Sequence, residues 1–199
     1  MKNNLYELTK EDWNSLFPVE LVEHNPQWKH IYEEERRRIL GSVGRHKILG
    51  IEHFGSTAIP NIKAKPYIDI LIEISKDLLF NEDVIKDFQQ LGYTYFKVPE
   101  RENIAAYMSF GKGYNLNGKK EQIFHIHMCP KENHMWEQID FRDYLILHVD
   151  RAKAYEKLKI GLALKFKNDR GGYVLAKTDF INETLELLKE KSDPGYGKN

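Results

Sequence analysis

A single cysteine, Cys129, occurs in 199 residues. That leaves no intramolecular disulfide framework and no Cys-rich zinc or iron–sulfur site, and it fits a reducing compartment. Any metal must therefore sit on histidines and carboxylates. An excess of one charge sign is missing too, because Lys+Arg and Asp+Glu are 30 each. Without a basic surplus, nucleic acid and anionic membranes are poor candidate partners. No apolar run approaches the ~20 residues of a membrane helix, and the opening MKNNLYELTKEDWNSLF lacks the apolar stretch of a secretion signal. The expectation is a cytoplasmic protein with no membrane segment. Internal repeats and low-complexity tracts are absent as well.

Hydrophobic residues make up 41% and charged residues 30%, with 3 Trp, 11 Tyr and 10 Phe, enough for one well-filled core. The chain divides into an arm over 1–18, a single domain over 19–190, and a tail over 191–199 rich in Gly, Ser, Pro and charge. Val19 to Val22 is a short strand candidate. Asn25-Pro26 then supplies an N-cap and a first-turn proline for a helix carrying Trp28, Ile31, Tyr32 and Ile39, with Gly41 at its end. Lys47 to Phe54 predicts a strand, and 55–66, with Gly, Ser, Thr and two prolines, a loop of fixed turns.

In Tyr67-Ile68-Asp69-Ile70-Leu71-Ile72-Glu73-Ile74 the even positions are all Ile, so a strand buries one face and presents Asp69, Leu71 and Glu73 on the other. A helix follows from Asn81 to Leu91, closed by Gly92. Strands are predicted at Tyr93 to Val98 and Ala105 to Gly111, and Asn117-Gly118 signals a hairpin before a strand from Glu121 to Cys129. That strand alternates Phe124, Ile126 and Met128 against Ile123, His125, His127 and Cys129, which sets two histidines side by side. Helices are expected from His134 to Val149 and Asp150 to Lys167, then a break at Asp169-Arg170-Gly171-Gly172 and a helix from Thr178, its N-cap, to Lys189. Strands in the middle and helices at the end give an α+β fold, a mixed or antiparallel sheet packed on helices with a helical C-terminal third.

Gly55-Ser56-Thr57 sits between two strands. Glycine admits close approach to the backbone, hydroxyls and amides there suit phosphate oxygens, and Asp69 on the next strand suits the cation that neutralises them. Read blandly, the same residues are a turn and a structural acceptor.

The run His53-Phe54-Gly55-Ser56-Thr57-Ala58-Ile59-Pro60, followed by Ala64-Lys65-Pro66-Tyr67-Ile68-Asp69-Ile70, closely resembles the signature of the GrpB family of bacterial proteins. Phe141-Arg142-Asp143-Tyr144-Leu145, Tyr155 with Leu158-Lys159, and Tyr173 with Lys177-Thr178-Asp179-Phe180 are similar to that family's C-terminal pattern. The family in turn resembles the nucleotidyltransferase superfamily. The resemblance implies that Gly55, Ser56 and Thr57 form a phosphate-holding loop and that Asp69 is the first carboxylate of an Asp-x-Asp metal pair. Leu71 stands where the second carboxylate belongs, and Glu73, the other candidate catalytic carboxylate, lies ~13 Å along the strand, too far to share one ion with Asp69.

His125 and His127, which resemble the family's His-x-His strand, are the candidate replacements. A set of Asp69, His125 and His127 turns the expected divalent metal from Mg²⁺ or Mn²⁺ toward Zn²⁺, Ni²⁺ or Fe²⁺; otherwise the two histidines line a pocket by hydrogen bonding, or one serves as a general base. His53 is a candidate positioning or substrate-contacting group. Lys65, Arg142, Lys159 and Lys177 lie in the family-like motifs and are the candidate phosphate-binding cations. Three functions follow as expectations: nucleotidyl transfer, binding of a nucleotide or phosphorylated small molecule without turnover, and metal-dependent hydrolysis.

Overall fold

The hydrophobic alternation of two strands organises the molecule. The computed structural model describes residues 4–101, 104–117 and 119–192. Gly118, with the expected Asn117-Gly118 hairpin turn, lies outside the described residues, as do residues 193–199 of the expected tail. Residues read as a polar arm include a short helix α1 (Lys10–Leu16), capped by Thr9, whose hydroxyl accepts from Asp12 N at 3.2 Å. Helix α2 (Gln27–Val43) starts where Asn25 Oδ1 accepts the Gln27 N–H at 3.0 Å. It buries Trp28, Tyr32, Glu35, Ile39 and Val43, one stripe at helical spacing. The helix passes through the expected stop at Gly41 and ends at Gly44, whose φ of 91° only glycine adopts cheaply.

Strand β1 (Gly50–Phe54) pairs antiparallel with β2 (Tyr67–Glu73). Helix α3 (Glu82–Gln90) follows, capped by Asn81, and leads to β3 (Thr94–Val98), β4 (Tyr107–Lys112) and β5 (Ile123–Cys129). The five-stranded sheet has the order β1-β2-β5-β4-β3, antiparallel throughout except for the parallel pair β2 and β5. The expected strand at Val19 to Val22 contracts to one bridge between Val22 and Ala64.

One face of the sheet, with Ile68, Ile70, Ile72, Phe124, Ile126 and Met128, forms the main core with α2 and α3. The other face is not open as the alternation suggests. Leu71 is fully buried among Phe54, Cys129 and Trp136, because the chain after β5 turns back over that end of the sheet. Helices α4 (Glu137–Leu147), α5 (Val149–Lys165), α6 (Arg170–Leu175) and α7 (Thr178–Ser192) complete the chain. Phe141, Tyr144, Leu145, Tyr155 and Leu185 join Ile59 and Ile62 in a second core. Residues 61–63 are stitched to α5 by Lys153 Nζ on Asn61 O (2.6 Å) and by the Lys63 N–H on Glu156 Oε1 (2.5 Å).

Further helix boundaries depart from expectation near the C-terminus. The segment expected to break the chain contributes Arg170-Gly171-Gly172 to α6; a Cβ on Gly172 would lie 2.4 Å from Asp169 Oδ2 and 2.7 Å from the Phe166 ring, so glycine serves tight packing there. Thr178 lies inside α7 as its first residue, and the Ile181 N–H bonds back to Lys177 O at 3.1 Å.

Ile70 is completely buried at the centre of β2. Truncation to alanine removes that packing and leaves a cavity, so Ile70→Ala should lower the unfolding free energy by about 2–5 kcal/mol in urea denaturation.

Candidate metal and phosphate site

Parallel pairing of β2 with β5 sets Asp69 opposite His125 and Leu71 opposite His127. Residues so paired project from the same face, so the site follows from register alone. One ligand atom each of Asp69, His125 and His127 lies within 4.8 Å of the others, and all three residues are half-buried. His125 Nδ1 is 3.7 Å from Asp69 Oδ1, while its Nε2 meets Ser109 Oγ at 3.1 Å. The serine hydroxyl orients the ring with Nδ1 toward the carboxylate. His127 is walled by Phe54 edge-on and by Tyr107, both with ring centroids 5.4 Å away. Its Nδ1 is buried and has no hydrogen-bond partner among the described residues, a vacancy that asks for an explanation.

The charges are tuned by this packing. Burial, reinforced by His125, pushes His127 down to about 3 and keeps it neutral with a free lone pair. For Asp69 burial acts to raise the carboxyl, but the hydrogen bond and charge of His125, helped by Lys65, win and hold it below its ordinary value. An ionised Asp69 beside a neutral His127 is the protonation state that ligation of a metal by these two residues requires.

Gly55 closes the site from the β1 side. Its backbone has φ 69° and ψ −173°, a region reserved for glycine, and a Cβ there would lie 2.4 Å from Asp69 Oδ2. The loop backbone thus rests directly on the carboxylate. Thr57 is structural: its buried hydroxyl donates to Tyr67 O at 2.9 Å, so its oxygen accepts from His53 Nε2 at 3.0 Å. A hydroxyl has one proton to give, which fixes His53 as the Nε2–H tautomer. His53 faces the other way, pairing in register with Ile70 and stacking on Tyr32 at 4.8 Å. It steadies the loop rather than meeting a ligand. Ser56 is half-buried beside Gly55.

Glu73 is not brought to Asp69; its carboxylate lies against Gly50 at the far end of β2. The four candidate cations separate into two pairs. Arg142 ties α4 to β1 by donating to Glu52 Oε2 (3.0 Å), Asp143 Oδ1 (2.7 Å) and His53 O (2.5 Å). Lys159 is 1% exposed and donates to Lys63 O. The side chains of Lys65 and Lys177, both half-buried residues, form no ion pair or hydrogen bond among the described residues and lie over aromatic rings. Burial, then Arg170 and Lys177, push Lys65 down to about 7 against the pull of Asp69.

Sequence reasoning passed over Ser109, Tyr107 and Arg170 as site residues. Ser109 alone had a signal, a polar residue between Met108 and Phe110 in an apolar strand. A cleft of about 830 Å³ lies between the N-terminal segment and residues 114–117, and none of Asp69, His125 and His127 lines it.

Two outcomes follow. Gly55→Ala should cost about 1–3 kcal/mol of stability, read from the denaturation midpoint, because it combines a forbidden backbone region with a clash on Asp69. Burial, the largest influence on His53, pushes it down to about 4. The unfolded chain takes up that proton near pH 6.5 and the folded one does not, so the contribution is full above pH 6.5 and is lost as the pH falls toward 4. Between pH 7 and pH 4 the wild type should lose about 3 kcal/mol more than His53→Gln in chemical denaturation.

Comparison with known proteins gives one consistent answer. The family profile described as GrpB protein matches residues 18–187. The glutamate-rich protein GrpB of Alkalihalophilus pseudofirmus is 34% identical over 174 residues, 85% of this chain and 95% of that protein. The YqkA protein of Bacillus subtilis is 34% identical over 172 residues, 86% of this chain, which spans about half (47%) of YqkA. The crystal structure of conserved protein GrpB from Enterococcus faecalis superposes with a TM-score of 0.71 at 27% identity, covering 87% of this chain and 100% of that one. A match of sequence and architecture over this much of its length means that the chain belongs to the GrpB family.

Proposed function

We propose that this protein holds a divalent metal on Asp69, His125 and His127 and binds beside it a nucleotide or other phosphorylated small molecule, as a nucleotidyltransferase-like protein. The observation that carries the reading is the convergence of those three donors within 4.8 Å under a loop whose Gly55 rests on Asp69. Two imidazoles and one carboxylate favour Zn²⁺, Mn²⁺, Ni²⁺ or Fe²⁺ over Mg²⁺. When bound, the metal supplies charge neutralisation for phosphate oxygens and polarises the phosphorus.

The chain's own groups do the rest. Gly55, lacking a side chain, lets phosphate oxygens reach the loop amides, and Ser56 offers a hydroxyl beside them. Asp69 remains ionised and His127 neutral, so both keep lone pairs for a cation. Ser109 holds the His125 ring in its orientation. In nucleotidyl transfer an acceptor oxygen attacks the α-phosphorus and pyrophosphate leaves, and this arrangement contributes positioning and charge stabilisation to that step. The histidine-rich donor set also favours a second reading, hydrolysis of a phosphoester.

Metal-stripped protein titrated calorimetrically should bind one transition-metal ion at least tenfold more tightly than Mg²⁺, and His127→Ala and Asp69→Asn should each weaken it at least tenfold. Thermal shifts with nucleoside triphosphates should be larger with that metal than in chelator in the wild type, and that difference should vanish in Asp69→Asn. Release of pyrophosphate supports transfer and release of orthophosphate supports hydrolysis. Absence of metal binding by the wild type overturns the proposal.

A further inference from the structure

Positive charge collects on one side of the site without matching negative charge. Lys65 lies at the entrance to β2, four residues before Asp69, and its Nζ sits over two rings, 4.8 Å from the centre of Tyr67 and 5.7 Å from that of Tyr173. Lys177 approaches the same Tyr173 ring at 4.8 Å, so one buried tyrosine is shared by two ammonium groups. Arg170 stands alongside, 5.6 Å from the Tyr67 ring, with Nη1 donating to Phe17 O (2.7 Å) and Tyr67 Oη (3.1 Å). Lys159 reinforces the field from α5. The two carboxylates that act on this group, Asp69 on Lys65 and Glu156 on Lys159, are each engaged elsewhere: Asp69 with His125, Glu156 with Lys153 and the Lys63 N–H.

Clustered cations without counter-charge disfavour the folded state, and burial amplifies the cost. Lys65 and Lys159 are both pushed down to about 7, by burial first and by their cationic neighbours next. The aromatic rings soften that cost through cation–π attraction without cancelling the charge. Elsewhere the protein pairs its half-buried lysines: Lys47 meets Asp87 at 2.7 Å, and Lys112 meets Glu35. Lys65 and Lys177 are exceptions, and Lys65 lies within electrostatic reach of Asp69. An unpaired buried charge next to a ligand site is what remains when the partner comes with the ligand.

We infer that Lys65 and Lys177, which share the Tyr173 ring, form a second anion subsite that takes the distal phosphates of a polyphosphate chain whose proximal phosphate lies at the Gly55 loop. The inference rests on the proposed phosphate site and narrows its ligand to compounds carrying two or more linked phosphates, of the nucleoside di- or triphosphate kind. Lys65 is the nearer clamp and Lys177 the farther one. Lys159 and Arg142, already bonded within the protein, are not ligand contacts.

Inorganic tripolyphosphate and orthophosphate are the probes, titrated in chelator so that no metal contributes, against wild type, Lys65→Met, Lys177→Met and Lys189→Met. Methionine keeps an apolar stem over the rings. Lys189 pairs with Glu186 on the surface and lies ~18 Å along α7 from Lys177, so its variant controls for net charge alone. Wild type should bind tripolyphosphate at least tenfold more tightly than orthophosphate, and Lys65→Met and Lys177→Met should each lose at least tenfold, with Lys189→Met unchanged. In the absence of any anion the first two variants should melt at or above the wild-type temperature, a gain that a purely structural lysine would not give. Three results overturn the inference: no tripolyphosphate binding by wild type, equal binding of the two anions, or variants that lose binding only together with thermal stability. Because metal is absent throughout, failure here leaves the metal titration of His127→Ala to stand or fall separately.

Discussion

Parallel pairing of β2 with β5, in an otherwise antiparallel sheet, is the constraint on which the rest of the molecule depends. It fixes which residues share a face and at what separation. With Asp69 level with His125, the two-residue period of β5 carries His127 to the same face, and the three donors meet without a loop having to place them. A slip of one residue would send both histidines into the apolar core and bring Phe124, Ile126 and Met128 out toward the site. The six core residues of these two strands therefore guard the site's geometry as well as its stability.

Around that rigid centre the protein arranges polar groups according to whether they are spent or held in reserve. Arg142, Lys159, Thr57 and His53 are spent: their hydrogen bonds join α4 to β1, α5 to the connection before β2, and the Gly55 loop to β2. Lys65, Lys177 and His127 are held in reserve, each half-buried and lacking a polar partner suited to it among the described residues. Burial alone does not separate the two groups, since Lys159 is more deeply buried than Lys65. Partnership does.

Much of this was legible in the residue order. The alternation of 123–129 placed His125 and His127 on one face, the isoleucines at 68, 70 and 72 marked the core face of β2, and Asn81 and Gly92 bracketed α3. Long-range coverage was not legible. Leu71 reads as the open side of a strand, yet Trp136 and Phe54 bury it, and nothing local announces that residues 134–136 fold back over that end of the sheet. The same blindness applies to cations, because whether Arg142 or Lys65 finds an acceptor depends on Glu52 and on α6, remote in sequence. What ends the helix at Gly44 rather than Gly41 is a positive φ, which composition does not encode.

The burial of Leu71 also bears on how such a site can change over time. A carboxylate at that position would enter an apolar enclosure of Phe54, Cys129 and Trp136, whose indole N–H is already given to Pro130 O. An unpaired charge there costs several kcal/mol, a large part of the stability of an ordinary domain. A substitution that installs a second carboxylate at position 71 thus destabilises the fold unless the tryptophan and its neighbours are rebuilt with it. Packing thus closes position 71 to charge, and any further acidic group near Asp69 has to come from another element of the fold.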